Sequence, residues 1–281
     1  MEAEKVRILA HLMLVKRTIS AVIFFIIGLA LIFSGGWVYT IGVTLMLSCA
    51  IWEFIHLFRN GGYSPNPYPV LAGTIAIMVS TYPNNLLLTS LAYIVSVFAI
   101  FILTLQDYEK KESTAAFNVT FELACLFFIT FLGSYIIKIR FLPNGLFWIM
   151  LSIFPVGIGD IGAYGIGTLF GTHKLAPKLS PNKTIEGYIG GFFAAIAGSI
   201  AIGAIAHHYV SSITIKNAVL IGSITGLLAP FGDLSKSIFK RQFHKKDTGN
   251  LIPGHGGMLD RIDTWLWASP IAYYLIILLF I

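Results

Sequence analysis

Apolar runs separated by short polar turns set the rhythm of the chain from residue 20 to its end. Seven of them, 20–33, 36–58, 85–105, 116–139, 142–170, 184–207 and 265–281, carry few charges, and two more, 69–82 and 218–231, are shorter. Crossing the hydrocarbon core of a bilayer takes a helix of about 20 apolar residues. A helix also satisfies its backbone groups internally, which lipid demands. The pattern therefore predicts an all-α, polytopic integral membrane protein with about nine transmembrane helices. Segment 1–17 mixes charged and apolar residues and predicts an amphipathic surface helix feeding the first span. A cleaved signal peptide is the rejected alternative, because no small-x-small cleavage site follows the first apolar run and a second span comes at once.

Composition agrees: 56% of residues are hydrophobic and 11% charged, against about a quarter charged in a soluble domain. No soluble domain and no linker of useful length fits between the runs. The organisation is a surface segment 1–17, N-terminal helices in 18–140 and C-terminal helices in 141–281 that carry the candidate site. Cys49 and Cys125 both fall in apolar runs, where thiols act as small hydrophobes.

The placement of charge sets the orientation. With nine spans and a cytoplasmic N-terminus, all of the 19 Lys and Arg except Lys138, Arg140 and Lys216 fall in inner segments. Such an excess is the positive-inside pattern. It predicts a multi-pass protein of the cell (inner) membrane whose polar stretch 240–263 faces the cytoplasm. Two carboxylates interrupt the apolar first half. Glu53 reads equally as a functional group or as an interfacial salt bridge beside His56 and Arg59, and Glu122 as a neutral acid bonded to Asn118 one turn away.

The second half is chemically denser. "PVGIGDIGAYGIGTLFG" sets Asp160 among glycines that allow close helix approach. "KLSPNKTIEGYIGG" gives an inner turn with Ser180, Lys183 and Glu186, where Thr184 and Gly187 suit a helix start. In "APFGDLSKSIFKRQ" a helix would put Asp233, Ser237 and Lys240 or Arg241 on one face. The likeness of "PVGIGD" to "PFGD" is too short to be a repeat. In "LDRID", Asp260 and Asp263 share a helix side with Arg261 turned away. Carboxylates alternating with cations at one membrane face suit a magnesium–triphosphate complex: carboxylate oxygens hold the ion, and Lys and Arg meet the remaining phosphate charge. "PGHGG" allows close backbone approach to a ligand, and His255 within it fits a turn residue, a proton carrier or a phosphate donor equally well. The chain holds no GxxxxGK[ST] phosphate loop, which disfavours an ordinary P-loop nucleotidase.

The run from Ser237 to Asp263 resembles the long signature of the phosphatidate cytidylyltransferases (CDP-diacylglycerol synthases) of prokaryotic type. It has Ser237, Lys240-Arg241, Lys246-Asp247, Pro253-Gly254-His255-Gly256-Gly257 and Asp260-Arg261-Ile262-Asp263 in order. Gly232-Asp233, the "SPNKTIEG" stretch and Asp160 fit as well, while Thr248 and Thr264 depart mildly. The N-terminal half agrees only in hydropathy and in Glu53. The resemblance implies a nucleotidyltransferase of phospholipid synthesis that turns CTP and phosphatidic acid into CDP-diacylglycerol and pyrophosphate, works among membrane lipids, binds no nucleic acid and forms a homodimer. It implies catalytic roles for Lys246, Asp247 and His255, and substrate contacts from Ser180, Lys183, Ser237, Lys240, Arg241 and Arg261. The residues themselves suggest Asp233, Asp260, Asp263 and Asp160 as ligands for Mg2+, or for two cations of which the second is divalent or monovalent. Asp247 reads either as a ligand or as a group orienting Lys246. Two rival readings stay open: another CTP-dependent lipid enzyme such as a polyprenol kinase, and an ion-coupled transporter built on Asp160 and Glu122.

Overall fold

A computed structural model describes residues 2–82, 84–109, 114–252, 254 and 256–281, with side chains from residue 18 onward. Helices dominate it: α1 (Glu2–Ser34), α2 (Gly36–Arg59), α3 (Pro67–Thr81), α4 (Leu86–Glu109), α5 (Ala115–Cys125), α6 (Leu132–Arg140), α7 (Gly145–Phe170), α8 (Ile185–Tyr209), α9 (Ile215–Gln242) and α10 (Leu259–Leu279). A π-helical stretch, Leu126–Phe131, joins α5 to α6 into one continuous rod. Seven helical segments are long and apolar enough to cross a membrane, and Thr18–Ser34 and Pro67–Thr81 are shorter apolar helices. The polytopic helical architecture is as the apolar rhythm predicts.

Two differences have local causes. The short run 218–231 is the middle of a 28-residue helix, because polar Lys236, Ser237 and Lys240 prolong it on a buried face. The segment after α7, read from sequence as a turn, is a small hairpin of β1 (Lys174–Ala176) and β2 (Ser180–Thr184), with Lys174 opposite Thr184 and Ala176 opposite Ser180. Pro177 and Pro181 bar helical continuation there, so the polar backbone pairs with itself.

Helix starts follow the sequence. Asn66 caps α3, its side chain accepting from the Tyr68 amide at 3.1 Å with Pro67 just inside. Thr184 caps α8 by accepting from the Gly187 amide at 3.1 Å, as its position predicts. Close packing of α7 on α8 depends on missing side chains: a Cβ on Gly191 would lie 2.8 Å from both the Ala163 Cβ and the Gly159 carbonyl oxygen. Elsewhere aromatic rings fill the joints. Phe58 stacks on Phe121 at 4.0 Å and meets Phe239 and Phe243 edge-on, while Phe54 packs edge-on to Phe239 at 4.9 Å. One cluster of buried apolar side chains runs from Ile32 to Ile276, so both halves share it. It fixes α2, α9 and α10 together at the end where Glu53, Asp233 and Asp260 lie. At the opposite end Arg140 donates from Nε to the Ile32 carbonyl at 2.8 Å, between the α6 terminus and α1.

Candidate active site

Alternating helix directions bring the C-terminal half of α7, the start of α8, the last turns of α9 and the first turn of α10 to one end of the bundle. Asp233 and Lys236 stand three apart on α9, as Asp260 and Asp263 do on α10, so each pair projects from one side of its helix. The Lys236 ammonium lies 3.0 Å from Asp233 Oδ1, 3.1 Å from Asp260 Oδ1 and 2.6 Å from Asp263 Oδ2. The last contact is an ion pair by distance but off the hydrogen-bonding direction, which leaves Asp263 Oδ2 without a hydrogen bond. Two further lysines flank the group. Lys183 from β2 reaches Asp233 Oδ2 at 2.9 Å, and Lys240 reaches Asp260 Oδ1 at 3.0 Å. Three carboxylates are therefore balanced by three ammoniums.

Asp260 is also the hub of the loop before α10. Its Oδ2 accepts from the Thr248 amide at 2.9 Å, the Thr248 hydroxyl at 3.0 Å and the Gly257 amide at 3.2 Å. Gly256 turns the chain with φ of 82° close to this carboxylate, where a Cβ would come within 2.9 Å of Oδ2. Glu53 of α2 supports the loop from the other side. Its Oε2 accepts from the Leu259 amide at 3.1 Å, at the helix N-terminus where negative charge is favoured. Gly249 and Gly257 crowd against it, and a Cβ on Gly249 would lie 2.6 Å from Glu53 Cδ. The Glu53 Oε1 is buried without a hydrogen-bond partner. Of the two readings of Glu53, the salt bridge does not form: His56 bonds the Trp52 carbonyl and Arg59 the Pro65 carbonyl. Glu122, likewise, accepts from the Asn66 amide at 2.6 Å rather than from Asn118, whose side chain holds Ser64.

Beside the charged network a cavity of about 470 Å³ opens between α7, α8, α9 and the hairpin, lined by Asp160, Lys183, Tyr164 and Tyr188 among small residues. The glycines around Asp160 do wall a cavity, as their size suggests. Asp160 stands at its edge, within electrostatic reach of Lys183, Asp233 and Asp263. Glu186 secures the hairpin base, accepting from the Thr172 hydroxyl at 2.7 Å and contacting His173 Nδ1 at 2.6 Å. Arg241 donates from Nε to the Leu179 carbonyl at 3.0 Å and ties α9 to the hairpin.

The residues predicted from sequence thus divide. Asp233, Asp260, Asp263, Lys183 and Lys240 form one network, with Asp160 nearby. Arg241 serves the hairpin, Ser180 lies in β2 opposite Ala176, and Ser237 is buried within α9. Lys246, Asp247 and Arg261 are exposed, and His255 lies outside the described residues. Lys236, at the centre, was not singled out. Its signal was a lysine three residues after Asp233, one turn along the same helix face. Glu53 as a support for the loop had no sequence signal, since its partner is 206 residues away.

Hard carboxylate oxygens are the donors magnesium prefers, and in donor type the aspartates suit it. Among the described residues, however, no three acidic, His or Cys side chains surround a common metal-sized centre. The Lys236 ammonium holds the point where three of them converge.

A family model described as the cytidylyltransferase family matches residues 15–279. A phosphatidate cytidylyltransferase of Synechocystis sp. is 30% identical, the alignment covering 94% of this chain and 97% of that protein. The Staphylococcus aureus (strain COL) protein of the same name is 31% identical over 93% of this chain and 98% of its own. That of Bacillus subtilis (strain 168) is 31% identical over 94% and 97%.

Proposed function

The chain belongs to the cytidylyltransferase family, and on that premise we propose that it is a phosphatidate cytidylyltransferase whose reaction takes place at the lysine–aspartate network. It transfers CMP from CTP to phosphatidic acid, giving CDP-diacylglycerol and pyrophosphate. A phosphate oxygen of the lipid forms a new bond to the α-phosphorus of CTP. The bond from that phosphorus to the bridging oxygen of the β-phosphate breaks, and pyrophosphate leaves with the electron pair. A phosphomonoester has its second pKa near 6, so the attacking oxygen needs little general-base help. The obstacle is the mutual repulsion of two polyanions, and the groups required are cations and positioned donors.

The observation that carries this reading is that Lys183, which lines the cavity, and Lys240, buried in the adjoining network, hold one carboxylate each. An ammonium has three N–H donors, so both keep capacity for phosphate oxygens. Asp260 fixes the signature loop against them through Thr248 and Gly257. Magnesium, when bound, would neutralise triphosphate charge, and Asp233, Asp260 and Asp263 with Asp160 are the side chains that would hold it. The cavity wall, built from small residues of α7 and α8, supports lipid entry from the bilayer while CTP arrives from water. The lysine-rich inner segments support a site facing the cytoplasm across the inner membrane, and the family resemblance supports a homodimer.

Purified protein in detergent, given labelled CTP, phosphatidic acid and magnesium, is expected to yield a liponucleotide and pyrophosphate. Asp260→Asn should lower that turnover at least about a hundredfold, the scale of losing one preorganised electrostatic group. Transfer of the γ-phosphate to a polyprenol would replace the reading with a kinase, and absence of any CTP turnover would replace it with a transporter.

A further inference from the structure

We infer that Lys236 is a positioning residue of this site: its ammonium acts as the network's resident cation, holding Asp233, Asp260 and Asp263 together before any divalent ion arrives and limiting how tightly one binds. The inference rests on the cytidylyltransferase reading and adds to it a residue that the signature run does not include.

Lys236 is only 3% exposed, and a lysine so buried is found only where it is paired. Its ammonium lies 2.6, 3.0 and 3.1 Å from oxygens of three carboxylates, so its charge is taken up within the protein. Lys183 meets Asp233 and is about a third exposed, so the two lysines play different parts. Lys183 faces the cavity, whereas Lys236 faces only protein. Geometry confirms the difference in span. Lys236 joins α9 to α10, and at that crossing the helices pass so closely that a Cβ on Gly232 would lie 2.7 Å from the Asp263 carbonyl oxygen. Asp260 and Asp263, separated from Lys236 by the whole signature loop, are brought to it by this crossing. Without the ammonium, three carboxylates would be left with two flanking lysines, and like charges this close repel strongly where water is scarce. Lys183 and Lys240 each reach only one of the three, so a divalent ion would then be needed to draw all three together.

Lys236→Met keeps the length of the side chain and removes its charge. In EDTA the purified variant is expected to melt well below the parent, and added Mg2+ should restore most of the difference. Binding of Mn2+ alone, followed by its spin-resonance signal, should tighten about tenfold, because the carboxylates lose a competing cation. Melting in EDTA equal to the parent's, or unchanged Mn2+ affinity, would overturn the inference. If Lys236→Met fails to fold, the double variant Asp233→Asn/Lys236→Met restores the balance with two carboxylates against two lysines and should fold. Its failure would also overturn the inference. Neither measurement uses CTP or lipid, so a chain lacking transfer activity could still show metal-dependent melting, and the two readings fail separately.

Discussion

Glu53 shows how one side chain can place a site it never touches. Its carboxylate accepts from the Leu259 amide and fills the space that glycines 249 and 257 leave open. It therefore sets where α10 begins and so where Asp260 points. Glu53→Ala would leave the Leu259 amide unpaired and a hole beneath the loop, at a cost of roughly 1–3 kcal/mol. Thermal unfolding should register that loss. The turnover number should fall while the lysines that meet phosphate stay in place, so the KM for CTP should change less than kcat. Glu53→Gln keeps a carbonyl acceptor and should recover most of the stability. The residue scale also separates Asp260, a metal-ligand candidate from sequence, from Asp247, which reads there either as a ligand or as a group orienting Lys246. Both are aspartates of the signature, yet one gathers five contacts from two lysines, Thr248 and Gly257 and the other stands exposed.

At the scale of elements, helix α7 and helix α8 decide whether the cavity exists. Their backbones approach because Gly159, Gly162, Gly187 and Gly191 present no side chains to one another, which in a membrane is what van der Waals packing rewards. Gly191→Ala would push its methyl against the Gly159 carbonyl and Ala163. Overpacking of this kind costs roughly 1–3 kcal/mol, and the variant should melt earlier in detergent. The same wedge should displace Asp160 and Lys183, lowering turnover beyond what stability alone explains. The density of glycines around Asp160 made the close approach of α7 legible. The hairpin was not legible, because its strands are only three and five residues long and carry too few positions for an alternating pattern to show.

The whole molecule separates its charge by end. Lys216 opens α9 and Lys245 follows its C-terminus, so a 28-residue helix stands between them. Cysteine placed at each position should respond oppositely to a membrane-impermeant thiol reagent: Lys216→Cys labelled from outside intact cells, Lys245→Cys labelled only after the cytoplasmic side is opened. Labelling of both from one side would overturn the orientation. The shared core matters at this scale too, since the aromatic joint of Phe54, Phe58 and Phe239 locks the N-terminal helices to the helix that carries Asp233.

By itself the sequence determined the membrane-spanning helical class, the segregation of charge to one face and the identity of most acidic and basic residues in the network. Each of those is encoded locally, in apolar run length, in Lys and Arg placement, or in the i, i+3 spacing of a single helix. Only the tertiary structure decided that Lys236 stands among three carboxylates, that Glu53 supports a loop 206 residues away, and that Arg241 serves the hairpin. Those contacts join different helices. Spacing along one helix fixes which way a side chain points, but what it meets depends on how closely the next helix is allowed to pack.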